Sequence, residues 1–145
     1  DTRVSKKSVD ALLTTLSKSP GGLKYFNLSF QTDGPVLMKI NSIGVWIRSH
    51  VLGLPFGDQG FCISAQDFST LGGFCENASY GEDHLFVWKV RHARLNLKCT
   101  GDTLLTSARK YQNNGWTKTT LLHGYLTIKQ ALPQIAKLSV FRTSK

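Results

Sequence analysis

The sequence of 145 residues is poor in acidic side chains and has no long apolar run. It contains 9 aspartates and glutamates against 18 lysines and arginines, and the net charge of +9 favours an anionic partner. The positive residues are scattered and form no basic block, which argues against nucleic acid as that partner. No apolar run approaches the roughly 20 residues that a membrane-spanning helix needs.

Several common motifs are also missing. The cysteines are odd in number and far apart, which predicts reduced, mostly buried thiols and argues against a disulfide framework or a zinc site. No phosphate-binding P-loop or dinucleotide fingerprint occurs, and the histidines fall in no ligand or triad spacing, so we expect them to be structural. The first residues lack the apolar core of a secretion signal. From these absences we expect a soluble, cytoplasmic protein.

The composition and the apolar periodicity predict one α/β domain over residues 1–145. Hydrophobic residues make up 41% and aromatic residues 10% of the chain, as in globular proteins. We predict a half-buried strand, in which apolar and polar residues alternate, over 24–32, and we expect Pro133 to end the last helix. The other predicted helices lie around 9–16 and over 36–51, 64–74, 82–94 and 117–131, and the other strands over 61–64, 95–101 and 102–108.

Two adjacent acids, Glu82 and Asp83, begin a strongly apolar helix directly after a glycine-rich loop. One interpretation is an N-terminal cap, because acids there satisfy free N–H groups and suit the helix dipole, at roughly 0.5–2 kcal/mol. The other interpretation makes Asp83 a general base held on rigid structure beside Gly81. The local pattern leaves both open.

The loop Gly57-Asp58-Gln59-Gly60 also has two interpretations. It can be an ordinary turn in which Asp58 bonds to nearby backbone. Alternatively, it presents an acid and an amide to a ligand with many hydroxyl groups.

A third candidate follows the last apolar strand, in the segment from Thr106 to Trp116. Arg109 and Lys110 are either surface charges or a clamp for phosphate oxygens, since strand ends in α/β sheets commonly hold ligands. Tyr111 and Trp116 could flank such a site.

Taken in order, these motifs resemble the family-2 glycosyltransferases. The order is DTR, then GLPFGDQGFCIS, LGGF, GEDHLFVWKVR and LLTSARKYQNNGW. It is most similar to a small bacterial subgroup in which Ala-Asp-Thr, Gly-Asp-Gln, Gly-Gly-Phe, Glu-Asp and Ser-Ala-Arg-Arg occur in this sequence. The resemblance spans nearly the whole chain, although the subgroup's second arginine is Lys110 here and the following tryptophan is Tyr111.

The resemblance implies the C-terminal, acceptor-binding part of a GT-A fold, a mixed sheet flanked by helices, with the nucleotide-binding half absent from this chain. It implies transfer of a sugar from a nucleotide diphosphate donor to an acceptor hydroxyl, with inversion, and a requirement for Mg²⁺ or Mn²⁺. The implied site residues are Asp83 with Glu82 for catalysis, Asp1 for the metal, Ser107, Arg109 and Lys110 for the donor diphosphate, and Gly57, Asp58, Gln59, Gly72 and Gly73 for the acceptor pocket.

Other outcomes stay open at this point. The chain can instead be a degenerate module that binds a partner or an anionic ligand without turnover. Peripheral membrane contact through the last helix, with Lys118, Lys129 and Lys137, is compatible with either reading. An exposed sheet edge where the absent half belongs would favour association with another copy.

Overall fold

The computed structural model describes residue 2 and residues 4–143, with side chains up to residue 137. This part of the chain is a mixed α/β structure, which confirms the predicted class. A short 3₁₀ turn covers Gly57–Gln59. The other elements are α1 (Lys6–Lys18), β1 (Leu23–Phe30), α2 (Met38–His50), α3 (Ala65–Thr70), α4 (Glu82–His92), β2 (Leu97–Thr106), α5 (Arg109–Asn114) and α6 (Trp116–Thr143).

The sheet in the described residues consists of β1 and β2, which run parallel from Leu23↔Leu97 to Phe30↔Thr106. The prediction of two separate strands over 95–101 and 102–108 was wrong. Gly101, with a φ of +85°, lies where the register shifts, so it forms a bulge inside one continuous strand. The strand predicted over 61–64 is reduced to one antiparallel bridge between Cys62 and Lys24.

The first strand is more buried than its alternating pattern predicted. Residues 23–26 are all buried, because both faces of the strand are covered, as is usual for parallel strands. Phe26 packs with Leu104 of β2, and Leu12 of α1 and Val45 of α2 pack against this cluster.

The main core forms around α4, whose buried residues include Phe86, Val87 and Val90. The short helix before it, α3, is capped by Ser64, whose hydroxyl accepts a hydrogen bond of 3.0 Å from the Asp67 N–H. The three cysteines are free, as expected, but each is half-buried.

The prediction that the last helix ends at Pro133 was wrong, because the helix continues to Thr143. A proline inside a helix removes one backbone hydrogen bond and crowds the carbonyl four residues earlier, which is residue 129. Pro133 is exposed, so water can reach this part of the helix surface and bond to the freed carbonyl. None of the helices that the structure describes is long and apolar enough to cross a membrane.

Candidate functional site

A cleft of about 780 Å³ opens where the C-terminal ends of both strands meet the first turn of α4 and one side of α6. Ligands of α/β proteins commonly bind at this end of parallel strands. The lining residues are Phe30, Phe56, Gly57, Asp58, Phe74, Tyr80, Gly81, Glu82, Asp83, His84, Thr106, Ser107, Lys110, Tyr111, His123, Leu126, Thr127 and Gln130.

Asp83 is held across the cleft mouth and not on its own helix. Its Oδ2 accepts a hydrogen bond of 2.5 Å from the backbone N–H of Gly57, which is 26 residues away in the chain. The cap position is Gly81, in the left-handed conformation with a φ of +62° and no side chain to offer. Among the described contacts, the Asp83 carboxylate therefore connects α4 to the 57–59 turn, and the exposed Glu82 lies beside it at the rim.

Asp58 lines the cleft and interacts with a cation, Arg48, that lies outside the lining and that the sequence did not mark as a site residue. Burial raises the pKa of the Asp58 carboxyl, and Asp83 raises it further, while the Arg48 guanidinium opposes the rise. The residue as a whole is nevertheless exposed. The carboxylates of Asp58 and Asp83 therefore interact electrostatically with each other, and the Arg48 guanidinium interacts with Asp58 from outside the lining.

Arg48 supplies that positive charge from the last turn of α2. Its guanidinium lies 3.3 Å from the centre of the Phe56 ring, and burial lowers its pKa to about 10, so it stays charged at neutral pH. Its Nη1 atom is buried and has no hydrogen-bond partner among the described residues. The only sequence signal for Arg48 was its place near the end of a helix, too common a feature to mark it.

Gln59 does not line the cleft, although the sequence placed it in the acceptor pocket. It is 1% exposed, and its amide bonds inward. The Oε1 atom accepts from the Ser49 hydroxyl at 2.8 Å and the Phe56 N–H at 3.1 Å, and Nε2 donates to the Phe26 carbonyl at 2.9 Å. Gln59 thus fixes the shape of the turn that presents Gly57 and Asp58.

The two glycines of the Gly-Gly-Phe motif also lie outside the lining, while Phe74 belongs to it. The Lys89 ammonium group donates to the carbonyls of Gly72 and Gly73, at 3.2 and 2.8 Å. Both glycines have a positive φ, so they form a turn that only residues without a Cβ adopt easily.

The two cations predicted in the segment after β2 lie in different places. Lys110 and Ser107 line the cleft, whereas Arg109 does not. Arg109 Nε donates to the Ser107 hydroxyl oxygen at 3.0 Å and lies 3.9 Å from an oxygen of Asp33.

Asp33 fixes this segment, although no pattern in the sequence marked it as a site residue. Its carboxylate accepts from the Ser107 hydroxyl at 2.6 Å and from the Ala108 N–H at 2.8 Å. The bond from Ser107, followed by that from Ala108, lowers the pKa of Asp33. Asp33 thereby orients Ser107 from the loop that follows β1.

Lys110 faces the side of α6. Its ammonium group is 3.4 Å from Nε2 of His123, whose Nδ1 is 3.3 Å from the Tyr111 hydroxyl. Burial, then Lys110 and Arg48, lower the pKa of His123, so this ring is neutral at pH 7 and its Nε2 can accept from Lys110. Trp116, the other predicted flanking aromatic, lies outside the lining and donates to Asn41 of α2 at 2.7 Å.

A buried histidine in the cleft lining joins α4 to α6. His84 Nε2 accepts from the Trp88 indole N–H at 3.0 Å, so Nδ1 carries the proton and donates to Gln130 Oε1 at 2.8 Å. Gln130 Nε2 then donates to the Tyr80 carbonyl at 2.7 Å. Burial lowers the pKa of His84, in agreement with this neutral tautomer.

Asp1, the expected metal ligand, lies outside the described residues. Within them, no three histidine, cysteine or acidic side chains come together as a metal site. The carboxylates that line the cleft are Asp58, Glu82 and Asp83.

Comparison with family models, with curated proteins and with solved structures gives no match to this chain. The resemblance to the family-2 glycosyltransferases therefore stays a prediction that rests on the order of the motifs.

Proposed function

We propose that this chain is the acceptor-binding part of a GT-A glycosyltransferase and that its cleft is the site of sugar transfer. The observation that carries the proposal is the position of Asp83. Its carboxylate is held by Gly57 at the mouth of a cleft that Ser107 and Lys110 also line, and it does not cap its own helix.

Asp83 acts as the general base in this proposal. An alcohol is a weak nucleophile until its proton is being removed, and a positioned carboxylate can remove it. The proton of the acceptor hydroxyl passes to Asp83 while the hydroxyl oxygen forms a bond to the anomeric carbon. The bond from that carbon to the diphosphate oxygen breaks, and its electron pair leaves with the diphosphate.

Lys110 stabilises the charge that accumulates on the leaving diphosphate. Its ammonium group can donate to phosphate oxygens, and such donors are most effective in a cleft that holds little water. The Ser107 hydroxyl lies in the same lining, but its proton is donated to the Asp33 carboxylate, so it can join the diphosphate site only by exchanging that partner. Arg109 contributes indirectly, because it bonds to Ser107 together with Asp33. Lys110 stands where the subgroup has its second arginine. A lysine can fill this role because its ammonium group acts as a point charge.

The remaining walls suit an acceptor with a flat apolar face. Phe30, Phe56, Phe74, Tyr80 and Tyr111 surround the carboxylates. Binding sites typically combine such apolar walls with a few polar groups that fix the orientation of the ligand. A sugar ring, with hydroxyl groups at its edge and C–H bonds on its faces, has this character.

The proposal includes the divalent cation that the resemblance implies, with Asp1 as its ligand. A bound Mg²⁺ or Mn²⁺ would neutralise part of the diphosphate charge, as hard cations do with oxygen ligands. The steps above use only side chains of the described cleft.

The decisive test replaces Asp83 by asparagine in the full-length gene product. The asparagine oxygen can still accept the Gly57 N–H, but the amide cannot take a proton. We expect sugar transfer to fall by about 10²–10⁴-fold, the usual contribution of a general base, with an unchanged melting temperature. Glu82→Gln is the matched control, since Glu82 lies one residue away at the exposed rim, and a much smaller loss is expected.

A binding test complements the kinetic one. Uridine or guanosine diphosphate with Mn²⁺ should raise the melting temperature of the wild-type protein and of the Asp83→Asn variant alike. Undiminished transfer by the asparagine variant would refute the role of Asp83. Salt-sensitive binding of an anionic partner, with no transfer and no response to either variant, would support the alternative of a module without turnover.

A further inference from the structure

The α2 helix presents an apolar stripe to solvent. Its members recur every three or four residues, on the side opposite the buried Met38 and Ser49, and they are between 45% and 86% exposed. A stripe of this kind ordinarily faces a core. The residues of the α2 stripe are Ile40, Ile43 and Ile47 of the helix, with Val36 just before it and Val51 directly after it.

The α6 helix has a second stripe with the same character. It lies opposite the side that contains the buried Thr119 and Ala131, and its residues are between 51% and 69% exposed. The residues of the α6 stripe are Leu121, Tyr125, Ile128, Leu132 and Ile135.

The two stripes belong to neighbouring helices. The indole N–H of Trp116 donates to Asn41 Oδ1 at 2.7 Å, and Asn41 Nδ2 donates to the Thr120 hydroxyl oxygen at 3.2 Å. These bonds hold the start of α2 beside the start of α6.

The charged side chains that α2 and α6 themselves carry are all positive. The sequence has no aspartate or glutamate between Asp33 and Asp58, and none after Asp102. The exposed cations on these helices are Lys39, Lys118, Lys129 and Lys137. A helix face of aliphatic side chains flanked by lysines on the same helix suits an anionic lipid bilayer. Such a bilayer has an apolar interior and negatively charged head groups at its surface.

The aromatic residues agree with this partner. Trp46 of α2 is 52% exposed and Tyr125 of α6 is 60% exposed. Tryptophan and tyrosine are enriched where a membrane meets water, because an apolar ring can enter the lipid while the polar atom stays in water. The Lys129 ammonium group, 5.9 Å from the centre of the Tyr125 ring, can remain at the head groups while its stem covers apolar surface.

A second copy of the chain fits the α6 stripe less well. Its spacing of four and three residues resembles a coiled-coil seam, but such seams are flanked by charges of both signs that pair across the interface. Here the flanking charges are Lys118 and Lys129, so two copies would bring like charges together.

We propose that α2 and α6 dock the protein onto an anionic membrane surface, with both stripes at the level of the lipid head groups. The helices lie on the bilayer and do not cross it. This inference is independent of sugar transfer, because it uses residues outside the cleft.

The test measures co-sedimentation of the full chain with vesicles of phosphatidylcholine alone and of phosphatidylcholine with phosphatidylglycerol. We expect binding to the anionic vesicles, a loss of binding as salt increases, and a blue shift of tryptophan emission that is reduced in Trp46→Phe. The double variants Ile43→Ser/Ile47→Ser and Ile128→Ser/Leu132→Ser should each weaken partitioning roughly tenfold or more. Lys118→Gln and Lys129→Gln should each weaken it roughly fivefold.

Leu13→Ser is the matched control. Leu13 is a comparably exposed aliphatic residue on α1, a helix that also carries Asp10, and its replacement should leave vesicle binding unchanged. Equal binding to neutral and anionic vesicles, or binding that survives both double variants, would overturn the proposal. So would a dimer in analytical ultracentrifugation that the double variants dissociate, if the wild-type protein does not bind vesicles.

Discussion

The two sides of α6 differ in a way that reverses the usual pattern of an amphipathic helix. The side that meets the rest of the protein carries mostly hydrogen-bonding groups, with His123, Thr127 and Gln130 at the cleft and Thr119 buried, beside the apolar Leu126 and Ala131. The opposite side carries the α6 stripe and faces solvent. Specific polar contacts fix the inner side, whereas the apolar surface of the outer side is exposed to solvent.

The difference shows why periodicity alone does not identify the packed face of a helix. Hydrophobic burial has no direction, so an apolar stripe can be buried against a core or against something outside the chain. Hydrogen bonds between buried side chains require specific partners at specific distances. The contacts of His84 and Gln130 therefore locate the inner side of α6 more securely than its apolar residues do.

The largest effect on this comparison is expected from Gln130→Ala. The variant removes the partners of the His84 Nδ1–H and of the Tyr80 carbonyl. A buried polar group left without a partner costs about 1–3 kcal/mol. His84 is buried whereas Tyr80 is partly exposed, so the free energy of unfolding should fall by about the cost of one such group. Urea unfolding measures it, with Ile128→Ala on the outer side as the control, where a change within about 0.5 kcal/mol is expected. Equal losses in the two variants would contradict the proposed roles of the two sides.

The next effect concerns Gly81, where the polar network meets the glycine-rich loop. A Cβ at Gly81 would lie 2.6 Å from Gln130 Oε1, and its φ of +62° is strained for other residues. Gly81→Ala should therefore lower the free energy of unfolding by about 1–2 kcal/mol. Gly124→Ala is the matched control, since a Cβ there meets nothing within 4 Å inside α6 and alanine should stabilise the helix by roughly 1 kcal/mol. Thermal unfolding of both variants should give shifts of opposite sign.

A smaller effect is expected from pH. Burial lowers the pKa of His84 below its ordinary value of 6.5, so the unfolded chain binds its proton more readily than the folded one. Stability is then complete above pH 6.5 and is lost as the pH falls from there toward the folded-state pKa. His123 shifts in the same direction. Urea titrations between pH 7.5 and pH 5 should show the decline, and it should be shallower in His84→Gln; an identical slope in that variant would remove His84 as the cause.

The sequence predicted the elements better than the contacts between them. The helices α1, α2, α3 and α4 and the strand β1 lie close to their expected positions, because local periodicity and caps specify them. The continuous β2 was missed because Gly101 resembles a chain break and forms a bulge, and the end of α6 was misplaced because an exposed proline can be tolerated. Both the bulge in β2 and the continuation of α6 past Pro133 depend on the surroundings of these residues in the folded protein as well as on the local sequence.

The same division applies to the candidate site. Asp83, Asp58, Ser107 and Lys110 were predicted from motifs and line one cleft. Arg48 and Asp33 belong to no motif, and their importance comes from contacts with residues far away in the chain. A single sequence gives no signal for such partners. The sequence likewise gives no signal that Gln59 lies outside the lining, since its buried partners come from three separate segments.

The smallest effect on the free energy of unfolding is expected from serine substitutions in the two stripes. These variants test most directly whether the outer side of α6 is unpacked in the folded chain. Ile43 and Leu121 are each more than 60% exposed, so serine removes little buried apolar surface there. The free energy of unfolding in dilute buffer should change by no more than about 0.5 kcal/mol, with an unchanged dependence on urea concentration. In the presence of anionic vesicles the same variants should lose the stabilisation that binding gives the wild-type protein, because a ligand stabilises only the state that it binds. A loss above about 1 kcal/mol in buffer alone would mean that the stripes already pack within the folded chain, and the distinction between the two sides of α6 would then fail.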